Sequence, residues 1–352
     1  MMPRTTDLLR SRSLLVTGAA GFIGSNFVHY WHDRYPADQL VILDALTYAG
    51  NRQNLVDLED HPHFYFHQGN ITDRAFVEHL LKTYNIETVV HFAAESHVDR
   101  SIVNPGAFIE TNVVGTFILL DSFYRYWNDR GQPEHYRFHH ISTDEVYGSL
   151  GTEDLAFSET TAYAPNSPYS ASKAGSDHLV RSYHHTYGLP TLITHCSNNY
   201  GPYQFPEKLI PLTIVNILEG KPLPVYGDGQ NVRDWLYVMD HCAGLDRVLT
   251  QGKPGDTYGI GGEAEVKNID LVLQLCTLMD AKVLTLPTRP AADLIQFVTD
   301  RPGHDRRYAM NIEKIRTSLG WTPAVELREG LEKTIDWYLA HRHWWQPLLS
   351  TK

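Results

Sequence analysis

The chain is poor in cysteine. Cys196, Cys242 and Cys276 are the only three in 352 residues, and they lie far apart. No CxxC spacing occurs, so neither a disulfide framework nor a cysteine-based zinc site is suggested. Long apolar runs are also missing. Nothing approaches the roughly 18 consecutive residues of a membrane span. The opening stretch, Met1–Ser13, carries Arg4, Arg10 and Arg12 but no apolar core behind them, which argues against a secretory leader. Positive charge is in deficit: 30 Lys and Arg against 41 Asp and Glu leave a net charge of −11. That balance is a poor footing for general nucleic-acid binding, which needs a basic footprint. The 19 histidines include the close pairs His61/His63, His139/His140, His184/His185 and His341/His343, but none has HExxH or similar spacing. No metal site is expected from them. Internal repeats and low-complexity segments are absent. These absences together describe a reduced, soluble, cytoplasmic protein without a metal.

What is present is ordinary globular composition, with 42% hydrophobic and 20% charged residues. At roughly 150 residues per domain, the length suggests two domains or one large α/β unit. A chain of this size buries about 75% of the surface its unfolded form exposes and needs no covalent staple.

The first half alternates short apolar runs with helical patterns. Strands are read at Leu14–Thr17, Leu40–Asp44, Phe64–Phe66, Thr88–Phe92, Phe138–Ser142 and Thr191–His195. Helices are read at Phe22–Trp31, from about Asp73, at Asn112–Tyr126 and at Ser167–Tyr187. Ser167-Pro168 supplies an N-cap and first-turn proline, and Gly188 and Pro190 stop that helix. Strands alternating with helices predict a doubly wound parallel sheet of Rossmann type. After Tyr200 the texture changes, with Pro202, Pro206, Pro211, Pro222, Pro224, Gly227 and Gly229 in short succession. A Rossmann domain over residues 1–200, rejoined by some later segments, is expected. A smaller mixed α/β substrate lobe would follow over 201–352.

Gly18-Ala-Ala-Gly21-Phe-Ile-Gly24 lies between the first strand and first helix. Glycines at this spacing allow a tight turn, close approach of backbone to a pyrophosphate, and close helix–strand packing. The helix N-terminus adds free N–H groups and partial positive charge for the phosphates. Asp44 ends the second strand, 20 residues beyond Gly24, where a carboxylate can bind ribose hydroxyls. No arginine follows it immediately, which favours NAD over NADP.

Tyr169 and Lys173 sit four residues apart and share one face of the Ser167 helix. A free phenol, with a pKa of about 10, is too weakly acidic to act as a base at neutral pH. A nearby ammonium is expected to favour the phenolate. The strand before it ends in Ser142-Thr143-Asp144-Glu145. Simple oxidation needs one base, and Tyr169 supplies it. Two further carboxylates imply a second proton-transfer problem, such as removing a carbon-bound proton while protonating a leaving hydroxyl. Neighbouring carboxylates repel, so one can stay protonated while the other ionises. Consecutive strand residues face opposite sides, so both reach one substrate only if the chain turns at Asp144.

With these motifs the sequence resembles the extended short-chain dehydrogenase/reductase family. The long blocks Ala93–Ser101, Ser142–Gly148, Ser197–Pro211, Pro224–Trp235 and Asp300–Tyr308 resemble, more narrowly, its nucleotide-sugar 4,6-dehydratase branch acting on dTDP-glucose. The resemblance runs from Gly18 to Tyr308. It implies a lyase that uses enzyme-bound NAD catalytically: oxidation at C4, loss of water across C5–C6, and hydride return to C6, giving dTDP-4-dehydro-6-deoxyglucose. In that scheme Tyr169, with Lys173, is the oxidation base and Thr143 bonds the reacting hydroxyl. Glu145 takes the C5 proton and Asp144 protonates the departing C6 hydroxyl.

Carried over position by position, Phe22, Ile23, Asp44, Thr47, Ile71, Ala93, Ala94, Thr111 and Asn199 match cofactor contacts, beside Gly18, Gly21, Gly24, Tyr169 and Lys173. Substrate contacts fall on Ser96, Thr143, Asn198, Lys208, Leu209, Pro224, Tyr226, Arg233 and Asn268, and on Asp300, Arg301, Pro302, Gly303 and His304. Local cations such as Lys208, Arg233 and Arg301 make sense for a diphosphate in a net-acidic protein. One departure is Asn70, which stands where the family usually shows Asp beside the adenine. Its amide can still accept and donate, so altered cofactor affinity at most is expected. The family also implies a homodimer formed through two helices per subunit, Asn104–Tyr126 and Ser167–Tyr187. Within the family, an epimerase, a decarboxylase or a dehydratase for another nucleotide are the alternatives. A non-catalytic NAD-binding protein on this fold would be expected to lack Tyr169 or Lys173.

Overall fold

The computed structural model describes residues 11–349. Arg4 and Arg10, on which the reading of the N-terminus partly rests, lie outside the described residues.

Six strands follow one another as far as Cys196: β1 (Ser13–Thr17), β2 (Gln39–Asp44), β3 (Phe64–Gln68), β4 (Thr88–His91), β5 (Arg137–Thr143) and β6 (Thr191–Cys196). Six more follow: β7 (Asn198–Tyr200), β8 (Leu223–Tyr226), β9 (Val232–Tyr237), β10 (Thr257–Ile260), β11 (Glu265–Lys267) and β12 (Ile295–Val298). The main sheet has seven strands in the order β10-β6-β5-β4-β1-β2-β3, and every pairing in it is parallel. Strand order reverses between β1 and β4, and that switch point opens the crevice where such sheets bind ligands. The expected Rossmann-type doubly wound sheet is the observed one.

The strands read as continuous apolar runs because both faces are covered. Along β1, Leu14 and Val16 point into one core with Phe27, Trp31, Leu40 and Ile42. Leu15 points the other way, among Val41, Val89, Leu119 and Phe138. This is the two-residue alternation of a strand. β10 comes from the later part of the chain, yet it pairs with β6, and the Val238–Gln251 helix packs on the Phe22–Arg34 helix.

Directly after β6 the chain leaves this sheet. β7 starts a three-stranded sheet, β11-β9-β7, parallel between β7 and β9 and antiparallel between β9 and β11. β8 and β12 form a parallel pair. A separate core of Ile214, Leu271, Leu275, Leu331, Ile335 and Trp345 holds these small sheets and their helices together. The smaller mixed lobe is therefore present.

One helical run differs from the sequence reading in two respects. The helix expected at Asn112–Tyr126 starts at Pro105 and passes through a π-helical stretch, Ile109–Gly115, before Thr116–Asp129. The wider turn points Asn112 inward. Its side chain bonds both backbone groups of Glu95, at 2.9 Å each, and the Ser172 hydroxyl at 2.8 Å. It thus clamps the loop after β4 to the Pro168–Tyr187 helix, a functional placement typical of π-bulges. This same Pro105–Asp129 run is long and apolar enough to cross a membrane by length and composition, contrary to expectation. Half of its most apolar window is buried, with Phe108, Leu119, Leu120 and Phe123 in the core.

Candidate active site

One cavity of about 500 Å³ lies across the C-terminal ends of β1, β2, β4, β5 and β6 and extends under the smaller lobe. At its cofactor end the glycine turn closes tightly. Gly18 has φ +70°, and a Cβ there would lie 2.5 Å from the Ala93 nitrogen. A Cβ on Gly24 would lie 2.5 Å from the Gly18 oxygen. No side chain fits at either position, so bare backbone faces the cavity. Gly21 is the N-cap of the Phe22–Arg34 helix and has no side chain to cap it, so the first N–H groups stay open to an anion. Asp44, at the end of β2, accepts from the backbone of Ala20 and Leu46, both at 2.8 Å. Burial raises its carboxyl above the ordinary range, against the pull of those two bonds. Phe22, Ile23, Thr47, Ile71, Ala93, Ala94, Thr111 and Asn199 line the same cavity. Asn70 does too, with its oxygen accepting from the Thr72 nitrogen at 3.0 Å. These features fit a dinucleotide: a bare anion cradle, then a carboxylate one strand away.

The centre of the cavity carries Thr143, Asp144, Glu145, Tyr169 and Lys173. The chain does turn at Asp144. Residues Asp144–Tyr147 form a 3₁₀ turn capped by the Thr143 hydroxyl, which accepts from the Glu145 nitrogen at 3.2 Å. That turn brings two consecutive carboxylates to one wall, which a continued strand would not do.

Their surroundings differ. Burial raises the Asp144 carboxyl well above its ordinary value, and the charges of Glu145 and Asp234 push the same way, with Arg233 opposing. Its Oδ2 is buried without a partner. Burial also raises Glu145, but Lys208, Arg301 and Arg233 all oppose the shift. Burial and like charge thus favour the neutral form at Asp144, while three cations favour the ionised form at Glu145 against its burial.

Tyr169 requires a correction. Lys173 was expected to draw its phenol down. Instead burial and the Glu145 charge push it well above 10, and the hydrogen bond with Thr143 is the influence in the other direction. The Lys173 ammonium donates to the Ile141 carbonyl at 2.8 Å and approaches His140 at 3.5 Å.

At the far end, Ser96, Asn198, Lys208, Leu209, Pro224, Tyr226, Arg233, Asn268, Arg301 and His304 line the wall. Arg233 is aimed by two carbonyls, Val232 at 2.7 Å and Asp305 at 2.9 Å, and lies over the Tyr308 ring. Asn198 Oδ1, Asn268 Oδ1 and Arg301 Nε are buried with no partner. Such orphaned polar atoms are costly unless something else satisfies them. Asp300, Pro302 and Gly303 do not line the cavity. Asp300 turns aside and bonds His304 Nδ1 at 2.6 Å.

Sequence reasoning passed over several wall residues. Tyr48, His97 and Glu207 form a cluster with Arg100, which lies over the Tyr48 ring. His97 and Glu207 stood inside quoted blocks but had no local spacing to mark them. Among the described residues no group of His, Cys, Asp and Glu side chains forms a metal site, and all three cysteines are buried and unpaired.

Comparison with known proteins agrees with this geometry. The GDP-mannose 4,6 dehydratase family profile matches residues 15–334. The dTDP-glucose 4,6-dehydratase of Neisseria meningitidis is 54% identical over 96% of both chains. That of Escherichia coli K12 is 53% identical over 94% of both. Among solved structures, the dTDP-glucose 4,6-dehydratase of Streptomyces venezuelae with NAD bound superposes with a TM-score of 0.87 at 47% identity, covering 96% of this chain and 99% of its own. The UDP-glucose 4-epimerase of Thermotoga maritima shares the architecture at 26% identity and a TM-score of 0.82, over 93% and 99%. The chain belongs to the nucleotide-sugar 4,6-dehydratase family of the extended short-chain dehydrogenases/reductases.

Proposed function

We propose that this protein is a dTDP-glucose 4,6-dehydratase, a hydro-lyase that uses NAD catalytically. The observation that carries the reading is the 3₁₀ turn that presents Asp144 and Glu145 side by side on the cavity wall in opposed electrostatic settings. When bound, NAD supplies a hydride acceptor for the sugar's C4 and a hydride donor for C6. Tyr169 takes the proton of the C4 hydroxyl as hydride leaves C4, a step that the bound nicotinamide cation would favour against the burial that raises the phenol, with Thr143 bonded to the same oxygen. Lys173, fixed by the Ile141 carbonyl, holds a cation beside the cofactor and the phenol. Glu145 removes the C5 proton, which the new C4 ketone has made acidic, and returns one at the end. Asp144, kept neutral by burial, gives its proton to the hydroxyl leaving C6.

In the substrate half, Arg233, Lys208 and Arg301 neutralise the diphosphate. Asn198 and Asn268 satisfy their buried oxygens on the substrate. Asp300 acts indirectly by holding His304, while Pro302 and Gly303 shape that loop. At the other end Asp44 binds the ribose of NAD, and Asn70 serves the adenine side. The domain division follows the cavity: residues 1–200 with the returning β10 segment hold the cofactor, and the later lobe holds the nucleotide sugar.

We further propose a homodimer through the Pro105–Asp129 and Pro168–Tyr187 helices. Val103, Ile109, Phe117 and Tyr187 are exposed on or beside them and supply apolar side chains that a second copy would cover. Light scattering should give the mass of two chains. Three unpaired cysteines suit a reducing cytoplasm, with neither membrane nor nucleic acid as partner.

The test is the mass of the nucleotide sugar after incubation of dTDP-glucose with purified protein. Loss of one water is expected. Unchanged mass with NAD supplied defeats the assignment, and inversion at C4 at equal mass shows an epimerase.

A further inference from the structure

Behind the reacting groups lies a buried polar network that the proposed chemistry does not use. Its centre is Asp177, one helical turn beyond Lys173 and 1% exposed. Its Oδ2 accepts from the Ser142 hydroxyl at 2.9 Å and the Tyr163 hydroxyl at 3.1 Å, and lies 2.9 Å from His195 Nε2. The other ring nitrogen of His195, Nδ1, lies 2.7 Å from the Tyr147 hydroxyl. These contacts fix the tautomer of His195. Nε2–H donates to the carboxylate, and Nδ1 accepts from Tyr147. Asp177 Oδ1 lies 3.2 Å from His140 Nε2, which is also 3.2 Å from the Ser176 hydroxyl and 3.5 Å from Lys173 Nζ.

Two paths therefore leave one carboxylate. One reaches Lys173 past His140, whose Nε2 lies within 3.5 Å of both the carboxylate and the ammonium. The other runs through Ser142 and the His195–Tyr147 pair to both ends of the turn that carries Asp144 and Glu145. We propose that Asp177 is a positioning residue that ties the oxidation and elimination halves of the site together: it holds Lys173 as a cation from one side and fixes the Asp144–Tyr147 turn from the other. The inference rests on the dehydratase reading.

A charge taken this deep without a structural or functional partner would be strongly unfavourable. Burial would raise the Asp177 carboxyl, but the neighbouring His140 and His195 rings outweigh it and hold it well below the ordinary range. It is therefore an anion throughout the working pH range. Burial lowers Lys173 to about 8, and the charges of Asp177 and Cys196 oppose that fall. The other titratable or charged groups facing this network are His91, His140, His178, His195, Tyr147, Tyr163, Cys196, Asp144, Glu159 and Arg181. His140 is lowered to about 4 by burial, and His91 is also lowered by burial. Burial likewise raises both phenols far above neutrality. Of the groups close to Lys173, Asp177 is thus the fixed anion.

Removing that charge makes the lysine cation easier to lose. Asp177→Asn should move the alkaline limb of the kcat profile toward acid by about one pH unit or more. The second variant, Tyr147→Phe, keeps the ring and the Asp177 charge but cuts the link to the turn. It should lower kcat by about tenfold with KM within about twofold. The alkaline limb should stay in place, and the absorbance of reduced nicotinamide should build up during turnover because elimination lags oxidation. An Asp177→Asn enzyme with an unmoved limb overturns the proposal, whatever its rate. If Asp177→Asn does not fold, Tyr147→Phe decides: wild-type turnover with no build-up overturns it. The wild type is assayed alongside. If it converts dTDP-glucose while the variants behave as wild type, only this inference falls. If it leaves the substrate mass unchanged, the dehydratase reading falls and takes the inference with it.

Discussion

The two ends of the cavity are built from different materials. The cofactor end is mostly main chain: the Gly18–Gly24 turn, the start of the Phe22–Arg34 helix, and the ends of β1, β2 and β4. The carboxylate of Asp44 there is itself held by two backbone N–H groups. The substrate end is mostly side chain. Lys208, Arg233, Asn268 and Arg301 come from four separate segments of the smaller lobe, and three of the polar atoms there wait without a partner. Main-chain recognition suits a group whose shape is always the same. Side-chain recognition suits a group on which specificity depends, since each orphaned atom penalises a ligand that cannot satisfy it. Asp144, Glu145 and Tyr169 sit where the two constructions meet.

This contrast predicts a graded response to substitution. The largest effects belong at the junction. Tyr169→Phe removes the proposed oxidation base and should lower kcat by about 10³ to 10⁴-fold, read as water loss by mass spectrometry. Retention of a tenth of wild-type activity would remove the phenol from its role. Glu145→Gln should cost about 10² to 10³-fold, with a different signature: oxidation continues, so reduced nicotinamide accumulates. Normal turnover would show that the two carboxylates are not divided as described.

At the substrate end, Arg233→Met should raise KM by about 10 to 100-fold, the worth of a charge-assisted bond to phosphate. It should also move the acid limb of the pH profile upward. Glu145 is ionised above its pKa, Arg233 lowers that pKa, and loss of the cation lets it rise, so the base is lost at a higher pH. An acid limb that stays in place would separate Arg233 from Glu145. At the cofactor end, where the wall is mostly backbone, replacing the Asn70 side chain should have the smallest effect. Asn70→Asp should change NAD affinity by less than about threefold, by equilibrium titration. A change of tenfold or more would make that end side-chain-dependent and erase the contrast.

The same division explains what the sequence made legible. The glycine turn, Asp44 and the Tyr169/Lys173 pair are local: spacing along one loop, strand or helix places them. The need for a turn at Asp144 was also readable, because a strand cannot present adjacent side chains to one side. The long-range parts were not. Arg301 reaches the cavity on a loop remote in sequence from Glu145, and its place came only from resemblance of a block. Within that block Asp300, Pro302 and Gly303 could not be told from wall residues, since a loop has no period. The sign of the Tyr169 shift escaped the sequence because spacing sets which face a lysine shares, but burial and the Glu145 charge, which raise the phenol, are set by packing. Asp177 was findable, four residues after Lys173 on the same face, but its partners on β5, β6 and the Tyr147 turn appear only when the sheet is assembled.

The central claim is that one buried carboxyl and one cation-held carboxylate act together on the C5–C6 edge of a hexose. Turnover of dTDP-glucose in heavy water tests it most directly. The account predicts a product that has lost one water and carries one solvent deuterium at C5, delivered by Glu145. A dehydrated product with its original C5 hydrogen, or a product of unchanged mass, would contradict it.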